Sequence, residues 1–151
     1  MLTGPDQSLL QTGLILGVGI VSTLDEVILH QLLQWHNFYV HTHSFGRILS
    51  DGLFHLWGSG LLVLGAYRLW RDRADLHRSG ALIISAGILL GMGGFNLWDG
   101  VVHHKLLRIH PVREGVANIL PYDLGFIGIA LLLLVLGGVL LRGRRQTLRA
   151  E

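Results

Sequence analysis

Asp25 to His36 (DEVILHQLLQWH) and Asp99 to His110 (DGVVHHKLLRIH) share one pattern: Asp, four residues, His, five residues, His. Imidazole nitrogens with carboxylate oxygens form the kind of donor set that zinc, cupric copper and ferrous iron accept, the carboxylates either ligating the metal or orienting the rings. Both stretches close a long apolar segment and so gather ionisable groups at one end of a membrane bundle, where an unmatched charge is costly. Glu26/His30, Asp51/His55 and Asp99/His103 are spaced four residues apart, and each pair shares a face of an α-helix. The expected imidazole ligands are His30, His55, His103 and His104, with Asp25, Asp51 and Asp99 as ligands or orienting groups. His36 and His110 come next, as loop ligands or ligands on the access route. Glu26 reads as a local partner of His30, and the pair His41 and His43 reads equally as solvated or metal-binding.

The elements that must hold these groups are apolar helices. The chain has 151 residues, a mean hydropathy of +0.51 and only 15% charged residues, far from the composition of a soluble domain. Four apolar stretches, roughly 9–33, 53–70, 81–98 and 124–141, each approach the ~20 residues that cross hydrocarbon as a helix. Met1 to Leu10 carries no Lys or Arg, so the first stretch reads as a retained span rather than a signal peptide. The absence of cysteine removes disulfides, thiolate metal sites and iron–sulfur clusters.

Of the 12 basic residues, Arg68, Arg71, Arg73, Arg78, Arg142, Arg144, Arg145 and Arg149 fall at one side of the spans. Arg47, Lys105, Arg108 and Arg113 fall at the other. The positive-inside bias places both termini and the middle loop in the cytoplasm and the His cluster outside it. His77 alone among the nine histidines lies on the cytoplasmic side. Basic residues arranged this way describe topology and do not point to nucleic acid.

The two His-bearing stretches match at an offset of 74 residues, and the second and fourth spans match more weakly at 72, aligning Asp51 with Asp123 and Leu64-Gly65 with Leu136-Gly137. The fold expected is all-α: one integral membrane four-helix bundle of two tandem two-helix hairpin repeats, about 9–72 and 81–145. Two repeats of equal orientation imply a pseudo-twofold axis along the membrane normal, with His30 and His104 at equal depth on either side of it, placed for a shared ligand. The 21 glycines serve close helix packing or make room for a flat cofactor.

Three functional readings follow. The first is a transition-metal binding or transfer protein, the metal being copper, zinc or iron. The second is a haem protein with axial ligands drawn from His30 and His104 or from His55 and His103. The third is a zinc-dependent membrane hydrolase with Ser22, Ser50 or Ser59 near an activated water. A channel or structural subunit predicts no response to chelators.

The segment HQLLQWH, the run NLWDGVVHHKLLRIHPVR from Asn96 to Arg113 and PYDLGF from Pro121 to Phe126 resemble a bacterial family of four-helix membrane proteins grouped as domain of unknown function 2243. The resemblance covers most of the chain. It implies a multi-pass protein of the bacterial inner membrane and an association with respiratory oxidase assembly factors, hence copper or haem handling. The shared pattern falls on Asp25, His30, Gln31, Gln34, Trp35, His36, Asp99, His104, His110 and Arg113. This chain departs from it with Glu26 in place of a glycine and Pro111 in place of a second histidine.

Overall fold

Apolar residues predominate for about five turns in each of four segments, and in a medium without water such segments satisfy their backbone only as helices. In a computed structural model the chain forms α1 (Gly4–Asp25), continued by a π-helical turn (Glu26–Leu32), α2 (Ser44–Arg71), a short 3-10 turn (Arg73–Asp75), α3 (Arg78–Trp98), continued by a second π-helical turn (Asp99–Leu106), and α4 (Leu120–Ala150). The structure describes residues 2, 4–76 and 78–150, without the side chains of 75, 78, 79 and 144–150. His77 and the side chains of Arg78, Arg144, Arg145 and Arg149 therefore lie outside the described residues. Four stretches, Gly4–Leu32, Ser44–Arg71, Gly80–Leu106 and Leu120–Gly143, are long and apolar enough to cross a membrane. All four outrun the apolar runs in the sequence: the first begins earlier at Gly4, the first turns of α2 lengthen the second, the π turn lengthens the third through Asp, His and Lys, and the fourth runs from Leu120 to Gly143.

Glycine decides how these helices meet. At the crossing of α1 and α3, a Cβ added to Gly13 would lie 2.5 Å from the Ile84 carbonyl oxygen, and one added to Gly87 would lie 2.6 Å from that of Leu10. One turn on, Gly17 faces the Ile88 carbonyl and Gly91 that of Leu14. These are backbone-to-backbone contacts through small-xxx-small patterns, which membrane helices use because apolar side chains gain nothing by leaving lipid for one another. The glycines at this crossing are therefore spent on close approach and leave no slot for a flat cofactor between α1 and α3.

The outer helices dock by matching contacts. Gly19 on α1 receives Leu62 of α2 and Gly93 on α3 receives Leu134 of α4, while Gly65 receives Leu16 and Gly137 receives Leu90. α2 packs on α1 and α4 on α3, so the main packing order is α2, α1, α3, α4. The two helices that carry the Asp-His stretches thus form the middle of the bundle. Gly17→Val should cost about 3 kcal/mol, through forced separation of α1 and α3. Gly52→Ala, whose added methyl meets no atom within 4 Å, should leave the midpoint unchanged; thermal unfolding in detergent compares the two.

Candidate metal centre

The Asp-x4-His spacing finds its reason in the π turns. In an α-helix a residue five positions on lies about 140° around the axis, so Asp25 and His30 would point apart. Each turn here is instead closed by an i to i+5 bond, Leu33 N–H to Ile28 C=O at 2.9 Å and Leu107 N–H to Val102 C=O at 2.8 Å. This wider turn sets Asp25 Oδ2 3.2 Å from His30 Nε2 and Asp99 Oδ2 2.9 Å from His104 Nε2. Gln34 and Arg108, at φ 50° and 53°, then reverse the chain in the left-handed region. Trp35 N–H bonds back to Leu29 C=O at 2.8 Å and Ile109 N–H to His103 C=O at 2.9 Å, a Schellman-like closure at each end.

Beyond the turns, the two loops exchange hydrogen bonds. Glu114 N–H donates to Trp35 C=O at 2.7 Å and Val40 N–H to Ile109 C=O at 3.3 Å. His36 Nδ1–H donates to Val112 C=O at 2.8 Å, and His110 Nδ1–H donates to Phe38 C=O at 2.7 Å. A carbonyl can only accept, so each ring carries its proton on Nδ1 and leaves the Nε2 lone pair available when neutral. The two rings stack, centroids 4.6 Å apart and planes within 5°, and each residue is only 2% exposed. Burial and the neighbouring rings of His110 and His30 push the His36 pKa down to about 3, so it is a neutral donor at ordinary pH.

Three sets of side chains bring ligand atoms within 4.8 Å of one another: His36, His104 and His110; Asp25, His30 and His36; and Glu26, His30 and Asp51. They join into one continuous centre through His36 and His30, whose Nε2 atoms lie 3.0 Å apart. His30 Nδ1 is 2.8 Å from Glu26 Oε2 and 3.2 Å from Asp51 Oδ1. Asp99 serves the other half, meeting His103 Nδ1 at 2.6 Å and His104 Nε2 at 2.9 Å, with His110 Nε2 at 3.9 Å.

Of the nine residues expected from sequence, Asp25, His30, His36, Asp51, His104 and His110 fall in these sets, and Asp99 contacts two of their rings. His103 falls in none of these sets, its Nδ1 held by Asp99 and its ring 4.3 Å from that of Trp98. His55 joins none of the sets, and its buried Nδ1 has no hydrogen-bond partner among the described residues. Asp51 is directed instead to His30, to Asn37 Nδ2 at 2.6 Å and to the Phe38 N–H at 2.7 Å. The rings stacked at the centre are His36 and His110, carried inward by the exchanged loops. Glu26, read from sequence as a local pair, is 1% exposed and belongs to the centre; its burial depends on α2 packing and leaves no signal in spacing. His41 and His43 stay exposed in the loop.

Charge is unevenly matched. Asp25, Glu26, Asp51 and Asp99 form ion pairs only with histidine among the described residues, whereas Asp123 is held by Lys105 and Glu114 by Arg47.

A family model described as "Predicted membrane protein (DUF2243)" matches residues 12–144. The chain belongs to the DUF2243 family. No curated protein and no solved structure matches it. The match to the DUF2243 model spans both π turns and both exchanged loops. Two apolar grooves flank the centre of this DUF2243 protein: one of about 380 Å³ between α1 and α4 that reaches Asp25, and one of about 510 Å³ between α2 and α3 that reaches His103.

The depressed His36 pKa sets a pH dependence. The unfolded chain takes up this proton below pH 6.5, whereas the folded chain resists doing so down to about 3. Stability of the metal-free protein therefore falls as pH drops through that window, by up to about 1.4 kcal/mol per pH unit from this group. Nitrogen-15 NMR of histidine-labelled protein should show His36 as the neutral Nδ1–H form from pH 7 to 4.5; a titration near 6.5 would contradict it.

Proposed function

We propose that the protein binds a transition metal at the shared end of its two π turns and acts in metal handling. The observation that carries this reading is the set of four largely buried carboxylates without a Lys or Arg partner, intermixed with imidazoles whose tautomers are fixed. Buried negative charge in a low-dielectric setting requires a cation, and a divalent ion on mixed nitrogen and oxygen donors supplies it. His36, His104 and His110 form the imidazole-rich part and Asp25, Glu26, His30 and Asp51 the acid-rich part, room enough for one ion or two. The carbonyls of Val112 and Phe38 and the carboxylate of Asp99 orient the rings, as partners of metal-bound histidines do. Zinc, cupric copper and ferrous iron all suit this donor set.

The matching contacts 74 residues apart support an origin by tandem duplication of one hairpin. The arginines at the far end of the spans support cytoplasmic termini and an extracytoplasmic centre in a bacterial inner membrane. Delivery to respiratory oxidase assembly factors is what the sequence resemblance adds. The glycines of the α1–α3 crossing, read as room for a flat cofactor, are filled by backbone and so add nothing to a bis-imidazole haem. For the zinc-dependent hydrolase, Ser22 Oγ donates to Val18 C=O at 2.8 Å and Ser50 Oγ to Arg47 C=O at 2.7 Å, so these two hydroxyls are bonded within their own helices and add nothing to that reading.

The test is elemental analysis with an ultraviolet–visible spectrum on protein purified in mild detergent. Stoichiometric zinc, copper or iron without a Soret band is expected. His104→Ala and His110→Ala should each lower metal affinity at least about 10–100-fold, as loss of an orienting partner alone does, and His55→Ala should retain the metal. Full occupancy in the first two variants, or a Soret band, would overturn the assignment.

A further inference from the structure

The two halves of the centre share a backbone but differ in charge. Moved back by 74 positions, Lys105, Arg108 and Arg113 fall on Gln31, Gln34 and Tyr39, while Gly100 falls on Glu26. One half thus carries an extra buried acid and the other three cations. Those three cations line one cavity of about 620 Å³, a size usual for small-molecule sites, together with His104 and His110 of the imidazole set.

We infer that this cavity binds a phosphate-type oxyanion against the imidazole-rich part of the centre. The proposal deepens the metal reading by naming the class of ligand that would approach the ion, although the cations can hold an anion without it. Arg113 is held in place for such a ligand. Its Nη1 donates to Tyr122 Oη at 2.6 Å, and its guanidinium lies over the rings of Trp35 and Tyr122 at 5.1 and 5.2 Å. A guanidinium immobilised by stacking presents its remaining donors as a fixed fork, which suits a tetrahedral oxyanion. Neither Arg113 nor Arg108 pairs with an acid among the described residues, and Glu114 in the same wall is neutralised by Arg47 at 2.7 Å. Lys105 is paired with Asp123 and adds a second cationic edge.

A second observation points to a ligand. His104 is 6% exposed and lines this cavity, yet its buried Nδ1 has no hydrogen-bond partner among the described residues, while its Nε2 lies 2.9 Å from Asp99 Oδ2. In the other half the equivalent ring, His30, has its Nδ1 engaged by Asp51. A buried imidazole nitrogen left open beside three cations is a donor waiting for an acceptor oxygen, or a ligand beside an ion that such an oxygen would reach.

The experiment uses the full chain in maltoside detergent, stripped of metal and separately loaded with zinc. Inorganic phosphate is titrated and followed by phosphorus-31 line broadening, and mixed micelles of phosphatidic acid or phosphatidylcholine are compared by native mass spectrometry. Saturable phosphate binding is expected, weakened about tenfold or more by Arg113→Gln and by Arg108→Gln, and unchanged by Arg142→Gln at the far end of α4. Arg108 is exposed, so its variant reports even if removal of Arg113 unfolds the loop. Retention of phosphatidic acid, lost in the same two variants, without binding of free phosphate would assign the oxyanion to a lipid headgroup. Phosphate binding without zinc binding would sink the metal reading and leave this one standing. Absence of both phosphate and phosphatidic acid binding, or binding indifferent to Arg108 and Arg113, would overturn the proposal.

Discussion

The contact on which everything else depends is the glycine crossing of α1 and α3. Backbone carbonyls of one helix lie against glycine Cα atoms of the other at two successive turns. Any side chain there would hold the axes farther apart. With the helices this close, the two π turns that extend them end side by side, and imidazoles from both reach a common point. The chemistry at the bundle's end is thus set by packing several turns below it.

Within the centre, geometry and electrostatics pull together. The π turn is rare beside the α-helix, and such turns are frequent at functional positions. Here each one aligns a carboxylate with an imidazole five residues later, a pairing an α-helix would not allow. Backbone carbonyls from the opposite loop then fix the protons of His36 and His110. The result is a nitrogen and oxygen donor set whose orientation is built into the backbone, in a setting where each uncompensated carboxylate raises the need for positive charge.

The spans are legible in the sequence because apolar runs of membrane length have few other uses, and the 74-residue offset is legible because ligand types repeat in register. The π turns are not, since α-helical reasoning pairs residues four apart and the informative spacing here is five. Helical spacing favours Asp51 with His55, whereas tertiary packing turns Asp51 toward His30 and the N–H of Phe38. It also ranks His36 and His110 below His30 and His104. Their inward position depends on which carbonyl each loop finds in the other half, a long-range choice that periodicity does not encode. Glu26 is hidden for the same reason: its neighbours in sequence describe a helix end, and only α2 makes that end an interior.

The exchange of loop carbonyls means that each half orients its partner's innermost ring and leaves its own to be oriented in return. Two of the three donor sets lie wholly in the first hairpin, but the set of His36, His104 and His110 is completed only when the two hairpins meet. Both clasps join the loops that follow the two middle helices, so a slight parting of those helices would release both together, freeing two rings to rotate and dispersing the set they form with His104 in a single event. Whatever that shared set holds, it would be gripped or let go as a whole.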